Sequence, residues 1–285
     1  MKIYIYFHFF KLKIQTVTMS TTDFSFSGSV PEKYDRYLGP YIFEPYAIYI
    51  TERIKNSPGK ILEIACGTGR VTMHIAKKIG SNAKLIATDI NPDMLEMAKQ
   101  RVDAKNVQWQ VADAQQLPFD DNSFDCIVCQ FGYMFLPDKQ KGFNEAWRVL
   151  KPGGQFLFNT WDKVENNITA YISRQIITEF FKDNPPEFYK IPFSMYDPEE
   201  MKTYLSNAGF KKIRIDRITL PGESSSAIDI ANGFVEGNPI IAEIQKQDAS
   251  QVENIKQKVA ETIRKKFGDH PVRSELNAWV CETEK

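Results

Sequence analysis

This chain has little of what disulfide, metal or polyanion chemistry needs. Its 285 residues include four cysteines and three histidines, and Lys+Arg and Asp+Glu each number 36. Zero net charge leaves no electrostatic footprint for DNA or RNA. The most basic short run, "KKIRIDR" (Lys211 to Arg217), alternates with apolar residues and reads as a strand with one solvated face. Four cysteines at this length do not make a disulfide framework. Cys126 and Cys129 form a C-x-x-C inside "FDCIVCQF", a buried-strand pattern without the Gly, Pro or Lys of a metal knuckle or redox turn. They read as buried thiols, and no metal site is expected. Long hydrophobic runs are missing too. The apolar stretch Ile3 to Phe10 is too short to span a bilayer, and it has neither the core length nor the cleavage site of a signal peptide. The expectation is a cytoplasmic protein without stable membrane insertion. Residues 1–19 would be a disordered or mis-assigned leader, with Met19 as the alternative start. There are no internal repeats, and "GESSSA" is the sole low-complexity stretch.

What is present is a regular alternation. "KILEIA" reads as a buried strand and "RVTMHIAKKIG" as a helix with Val71, Ile75 and Ile79 on one face. "AKLIATDI" is a second strand; its helix opens at Asn91 and Pro92, a cap and a first-turn proline. "VQWQVAD", "FDCIVCQFG" and "QFLFNTW" are three more strands, the last preceded by a helix and a Pro-Gly-Gly turn. Such alternation implies a parallel sheet with helices on both faces, which binds ligands at the carboxyl ends of its strands, near the reversal of strand order. Beyond Trp161 the pattern changes to amphipathic, aromatic segments, a capped helix ending at Gly209, the strand "KKIRIDRITL" and a final strand "LNAWVCETE". The expected organisation is a single domain over 20–285. It comprises an aromatic N-terminal lid (20–58), a core (60–161) and helical insertions (162–196 and 221–273) that form a cap or acceptor pocket.

The stretch "KILEIACGTGR" concentrates the chemistry. Ala65, Gly67 and Gly69 make a turn into a helix, where a ligand can approach the backbone and meet free N–H donors. Dinucleotides and S-adenosylmethionine both use this arrangement. The dinucleotide fingerprint needs a third small residue for close packing, and here the candidates are Thr72 or Arg70. Glu63 points the same way, because a carboxylate under the loop repels a pyrophosphate but not an ammonium or a sulfonium. Asp89 lies at the spacing of a ribose-binding acid.

"LEIACGTGR", "ATDINPDML", "VADAQQLPFDDNSFDCIVCQFGYMF" and "RVLKPGGQFLFNTW" occur in order over Lys60 to Trp161. In these blocks the chain resembles the class I S-adenosylmethionine-dependent methyltransferases, in their ubiquinone/menaquinone-biosynthesis-like small-molecule branch. One departure is Ala65, where many members carry glycine. The resemblance implies a doubly wound, seven-stranded, mostly parallel Rossmann-like sheet with S-adenosyl-L-methionine as cofactor. It places the amino-acid half of the cofactor on Glu63, Ala65, Gly67 and Gly69. Asp89 and Ile90 would hold ribose and adenine, Asp113 would accept from the adenine amino group, and the Ala114 amide would donate to it. Gln130 and Phe131 would flank the methionine moiety and the methyl group. Met94, one helical turn after Ile90, would pack on the adenine or simply in the core.

Enzymes that methylate glutamine amides or base amines carry [ND]-P-P-[YF] after strand four, where this chain has "QFGYMF". "DNPPEF" (Asp183 to Phe188) occurs after strand five, with Glu187 in the aromatic position, and reads as a Pro-rich turn. Methyl transfer needs chiefly proximity and alignment. Of His8, His74 and His270 none stands out as a base, so no catalytic residue is assigned. The segment "SGSVPEKYDRYLGPYIFEPYAIYI" reads as the lid, with Tyr34 and Tyr41 stacking on or bonding to the ligand. Phe180, Phe181, Phe188, Tyr189, Phe193 and Tyr196 would supply another wall of the pocket, or a dimer interface. The reading is transfer of a methyl group to a small apolar or aromatic metabolite by a monomer or homodimer, without nucleic acid. The alternatives are a methyltransferase acting on protein or RNA, an NAD-dependent oxidoreductase, and a non-enzymatic binding protein that keeps the pocket.

Overall fold

The computed structural model describes residues 28–55, 58–80 and 83–285. The expected leader, Met19 and His8 lie outside these residues. From Val30 the chain is helical without a break through α1 (Val30–Lys33), a π-helical stretch (Tyr34–Phe43) and α2 (Glu44–Glu52). Pro40 sits inside the π-helical stretch, where its missing N–H removes a ladder bond and loosens the register. Then follow β1 (Lys60–Ile64), α3 (Arg70–Ile79), β2 (Lys84–Asp89), α4 (Pro92–Arg101), β3 (Val107–Val111), β4 (Phe124–Gln130), α5 (Lys139–Val149) and β5 (Leu150–Trp161). The second half consists of α6 (Ile168–Phe180), α7 (Pro198–Ala208), β6 (Lys211–Ser224), α8 (Ala227–Glu236), α9 (Ile240–Asp248), α10 (Gln251–Phe267) and β7 (Val272–Glu284).

Local chemistry sets many of the boundaries. Asn91 accepts from the Asp93 amide to cap α4, Asp138 from Lys141 to cap α5, and Asp197 from Glu199 to cap α7. Gly209 ends α7 in the left-handed region at φ 103°. The expected Pro-Gly-Gly turn is instead an irregularity within β5, where the register to β4 shifts between the Phe124–Leu150 and Cys126–Gln155 pairs. "DNPPEF" is a turn whose Glu187 and Phe188 amides are held by the Glu243 carboxylate. The expected helical stretch 221–273 is narrower, because β6 and β7 stay paired out to Ser224 and Val272 and leave the helices to 227–267.

The strands form one sheet in the order β3-β2-β1-β4-β5-β7-β6. All neighbours are parallel except β7, which runs antiparallel to β5 and β6. Strand order reverses between β1 and β4, so the loop after β1 opens at the switch point. Successive residues serve opposite faces. Ile61, Cys126, Val128 and Leu157 join one hydrophobic cluster with α2 and α3, while Leu62, Ile127, Cys129, Phe156 and Phe158 join the other. Cys126 and Cys129 therefore point to opposite faces, and burial pushes both thiols up, Cys126 to about 12. No metal-binding cluster of His, Cys, Asp or Glu occurs among the described residues. No helix among them is long and apolar enough to cross a membrane.

Candidate active site

The loop after β1 is held in a conformation that favours small residues. Ala65, Gly67 and Gly69 have φ values of 54°, 55° and 81°, all left-handed. Gly69 is needed twice over, because a Cβ there would also lie 2.9 Å from the Ala98 Cβ on α4. A Cβ on Gly67 would meet nothing within 4 Å, so the space over that residue is open. Ala65 tolerates a strained φ at roughly 1 kcal/mol. Its methyl presses on the end of β4, where a Cβ on Gly132 would lie 2.7 Å from the Ala65 Cβ.

Two carboxylates sit under this loop. Glu63 is buried, and its Oε2 has no hydrogen-bond partner. Burial pushes its carboxyl up to about 8, with the Asp89 charge adding and Thr72 pulling the other way. Asp89 is also buried, and burial raises it against the pull of backbone N–H groups. Its Oδ2 accepts from the Gly67 amide at 2.8 Å and its Oδ1 from the Asn91 amide at 2.9 Å, which ties the loop to the end of β2. Asp113 accepts from the Gln115 amide at 2.8 Å, and the Gln115 side chain accepts from the Asp138 amide at 2.9 Å, joining the loops after β3 and β4. Ala114 is buried. Ile90 is 66% exposed, as is its neighbour across the strand end, Val111, at 55%. Met94 is buried yet belongs to neither hydrophobic cluster.

The N-terminal helical rod crosses this loop and is fastened to it by charged groups, among which Asp35 and Glu44 carry no signal in the sequence. Asp35 accepts from the Thr68 hydroxyl at 2.7 Å and from Arg70 Nη2 at 3.2 Å, and it pairs with Arg101. Arg70 also donates to the Asp35 carbonyl at 2.8 Å and to Glu44 Oε2 at 2.9 Å. The other oxygen of Glu44 meets His74 Nε2 at 2.8 Å. Burial would raise Glu44, but His74 and Arg70 outweigh it and hold the carboxyl below its usual range. The signal in the sequence was Arg70, at a position where a dinucleotide loop wants a small residue.

Tyr34 lies beneath this latch, its hydroxyl pushed up by burial and within the field of Arg70 and Asp89. Its ring stands 4.8 Å from that of Phe43. Tyr41 is directed elsewhere. Its hydroxyl bonds to Thr169 Oγ1 at 3.0 Å and Ser274 Oγ at 2.6 Å, which locks the rod to α6 and β7. The expectation that Tyr41 contacts the ligand therefore gives way to a role in tying the N-terminal helical rod to α6 and β7.

At the end of β4, Gln130 Nε2 donates to the Phe43 carbonyl at 3.2 Å. Phe131, at φ 52°, stacks on Trp161 with centroids 3.7 Å apart and planes 8° from parallel. Phe43 and Tyr46 close around this pair at 5.8 and 5.4 Å from Phe131. Phe193 and Tyr189 extend the wall, with Phe193 6.5 Å from Trp161 and stacked on Tyr189 at 6.3 Å. Phe181 and Phe188 are buried, whereas Phe180 and Tyr196 face solvent and take no part in an enclosure. His270 is exposed, and its Nδ1 lies 3.1 Å from the Ser225 carbonyl.

A buried carboxyl oxygen without a partner, one strand end away from an open glycine, fits a cationic ligand such as S-adenosylmethionine, which would favour its ionised form. Comparison with known proteins agrees. The model of the ubiE/COQ5 methyltransferase family matches residues 47–222, more than half of the chain. The ubiquinone/menaquinone biosynthesis C-methyltransferase UbiE of Rickettsia bellii is 32% identical over 212 residues, which cover 67% of this chain and 86% of the relative. The demethylmenaquinone methyltransferase of Staphylococcus saprophyticus is 30% identical over 210 residues, covering 67% and 88%. Among solved structures, phosphoethanolamine N-methyltransferase 2 of Haemonchus contortus in complex with S-adenosyl-L-methionine superposes with a TM-score of 0.60 at 19% identity, over 94% of this chain and 60% of that one. The YcgJ protein of Bacillus subtilis superposes with a TM-score of 0.55 at 21% identity, over 84% and 98%. At these identities the solved structures speak for the fold alone. The chain thus belongs to the ubiE/COQ5 methyltransferase family, as an enzyme that transfers a methyl group from S-adenosylmethionine to a small metabolite.

Proposed function

We propose that the acceptor is a flat, quinone-like aromatic ring with apolar substituents, methylated on a ring carbon. The observation that carries this reading is the stacked Phe131–Trp161 pair, enclosed by Phe43, Tyr46 and Phe193 at the ends of β4 and β5. Such a wall recognises a ring by area and stacking rather than by charge. The names of the curated relatives, which refer to quinone biosynthesis and C-methylation, support the same class.

S-adenosylmethionine supplies an electrophilic methyl group on an already activated sulfonium. The chain's residues bind and orient. In our reading Glu63 accepts from the ammonium end, and Ala65, Gly67 and Gly69 seat the amino-acid half. Asp89 takes the ribose hydroxyls, Ile90 and Met94 lie against the adenine, and Asp113 with the Ala114 amide reads its edge. Gln130 and Phe131 flank the methyl group, and Tyr34 closes the lid over it. Tyr41 is left out of this set because both sides of its hydroxyl are engaged. The helices α6, α8, α9 and α10 form the cap over the acceptor side. Neither described histidine is free to act as a base at this site: His74 is bound to Glu44, and His270 is exposed beside Ser225. The S–CH3 bond breaks as the ring carbon–CH3 bond forms, S-adenosylhomocysteine leaves, and the displaced ring proton passes to solvent, so the protein contributes proximity and alignment. Four buried free thiols suit a reducing, cytoplasmic compartment, and a monomer or homodimer suffices because one chain supplies every group named.

Incubation with methyl-labelled S-adenosylmethionine and a panel of naphthohydroquinones, ethanolamine phosphates, protein and RNA tests the assignment. Label is expected on a ring carbon of the naphthohydroquinones. Label confined to the amine or the macromolecules would overturn it.

A further inference from the structure

Among the described residues, two buried polar atoms at the ends of neighbouring strands have no partner: Gln130 Oε1 on β4 and Asn159 Nδ2 on β5. The two residues pair across the parallel strands, so their side chains leave the same face of the sheet. The orientation of each amide is dictated by backbone. Asn159 Oδ1 accepts from the Phe131 amide at 3.0 Å, and Gln130 Nε2 donates to the Phe43 carbonyl at 3.2 Å. Turning either amide over would oppose donor to donor or acceptor to acceptor. What remains is one acceptor and one donor on neighbouring strands, with Asn159 wholly buried.

Buried amide atoms without partners destabilise a fold, and core packing alone favours apolar side chains at such positions. The chemistry of the pair narrows what could satisfy it. An ammonium would meet the Asn159 N–H, a donor against a donor, and a carboxylate would meet the Gln130 carbonyl, an acceptor against an acceptor. A hydroxyl suits both, since it accepts from Asn159 and donates to Gln130. Aromatic surface lies alongside. Trp161 is two residues beyond Asn159 on the same face, and Phe43, whose carbonyl anchors Gln130, stands 6.1 Å from Trp161.

We propose that Gln130 and Asn159 form a hydroxyl clamp that selects acceptors bearing an aryl hydroxyl and fixes the ring's orientation against Phe43, Phe131 and Trp161. The clamp rests on the aromatic-acceptor reading and adds to it a required functional group and the two residues that determine specificity. Its consequence is directional: with the hydroxyl fixed, one ring carbon is presented to the methyl donor and the others are not.

The test is to titrate the protein, saturated with S-adenosylhomocysteine, with 1-naphthol, 1-methoxynaphthalene and naphthalene, followed by calorimetry or tryptophan fluorescence. Wild type is expected to bind naphthol at least about tenfold more tightly than the methyl ether. In Asn159→Leu and in Gln130→Met that ratio should fall to within about twofold, with naphthalene binding unchanged. The two variants lie on different strands, so one that melts normally is enough. Retention of the naphthol preference in either variant that melts normally would overturn the clamp. So would an Asn159→Leu protein that loses about tenfold in S-adenosylhomocysteine affinity while keeping the preference, because the amides would then serve the cofactor. If all three rings bind wild type equally, the clamp alone has failed. If none binds, the aromatic-acceptor reading has failed with it.

Discussion

The two halves of the proposed site, one for the cofactor and one for the acceptor, are built in different ways. The cofactor half is made of backbone: three left-handed residues, a helix start and two carboxylates, all within thirty residues of chain from β1 to the end of β2. The acceptor half is made of side chains from distant segments: Phe43 from the lid, Phe131 from β4, Trp161 from β5 and Phe193 from the turn before α7. A site made of local backbone tolerates few substitutions, because a side chain at a left-handed position is strained. A wall of side chains can be rebuilt one residue at a time, which is how one fold accommodates different acceptors.

The sharpest way to break this comparison is at Asp89. Its two oxygens organise the Gly67 and Asn91 amides, so Asp89→Ala removes the acid proposed to bind the ribose and also leaves two loop donors unpaired. We expect S-adenosylhomocysteine affinity to fall by about 100-fold or more, roughly 3 kcal/mol, with the fold retained. Calorimetry and thermal melting together measure this. Affinity within threefold of wild type would show that the cofactor half does not depend on its backbone frame.

A smaller effect follows from Glu63, whose carboxyl is pushed to about 8 by burial. Below that pH the empty site holds a neutral acid, and a cationic ligand lowers its pKa, so binding releases a proton. Affinity for the cofactor should therefore climb from pH 6 to pH 8, by up to about tenfold per unit, and then level off. Stability of the unliganded enzyme should run the opposite way. The folded pKa lies above the ordinary 4.5, so this group's contribution is complete below 4.5 and is lost as pH rises toward 8. Glu63→Gln should flatten the affinity profile and melt higher than wild type at pH 8. A wild-type affinity profile that is flat over this range would remove Glu63 from the cation site.

How much of each half could be read in advance follows the same division. The tight turn at Gly67 and Gly69, with Glu63 and Asp89 beside it, was legible because turn geometry acts over a few residues, and the five core strands followed from their apolar runs and caps. Tyr41 was misjudged because its partners, Thr169 and Ser274, lie 128 and 233 positions away. No periodicity reports a hydrogen bond across that distance. Asn159 looked like one polar residue in a strand, and its meaning depends on the amide of Phe131 on the neighbouring strand. Arg70 was visible as an anomaly, but Asp35 and Glu44 belong to a helix whose placement the sequence does not dictate. The π-helical register, which lets Asp35 and Tyr34 both reach the loop, also goes beyond what a tyrosine-rich stretch with one inner proline can announce.

The N-terminal rod, the proposed lid, allows the finest comparison, because it is anchored at two points of different character. Asp35 meets Arg70, Arg101 and the buried Thr68 at the glycine loop, with the three charged side chains partly exposed. Tyr41 is fully buried and meets the cap. Asp35→Asn weakens only the attachment at the loop, so the lid opens more readily and S-adenosylhomocysteine should leave several-fold to about tenfold faster, with melting changed by less than about 1 kcal/mol. High salt should reproduce part of this acceleration in wild type and little in the variant. Tyr41→Phe should do the converse. It leaves Thr169 and Ser274 without their buried partner, at about 1 kcal/mol of stability, and moves the dissociation rate by less than about twofold. Stopped-flow displacement and thermal melting on both variants separate the two anchors. Equal acceleration by both would mean that the rod moves as one body and that attachment to the cap, as much as the ionic latch, governs access to the cofactor.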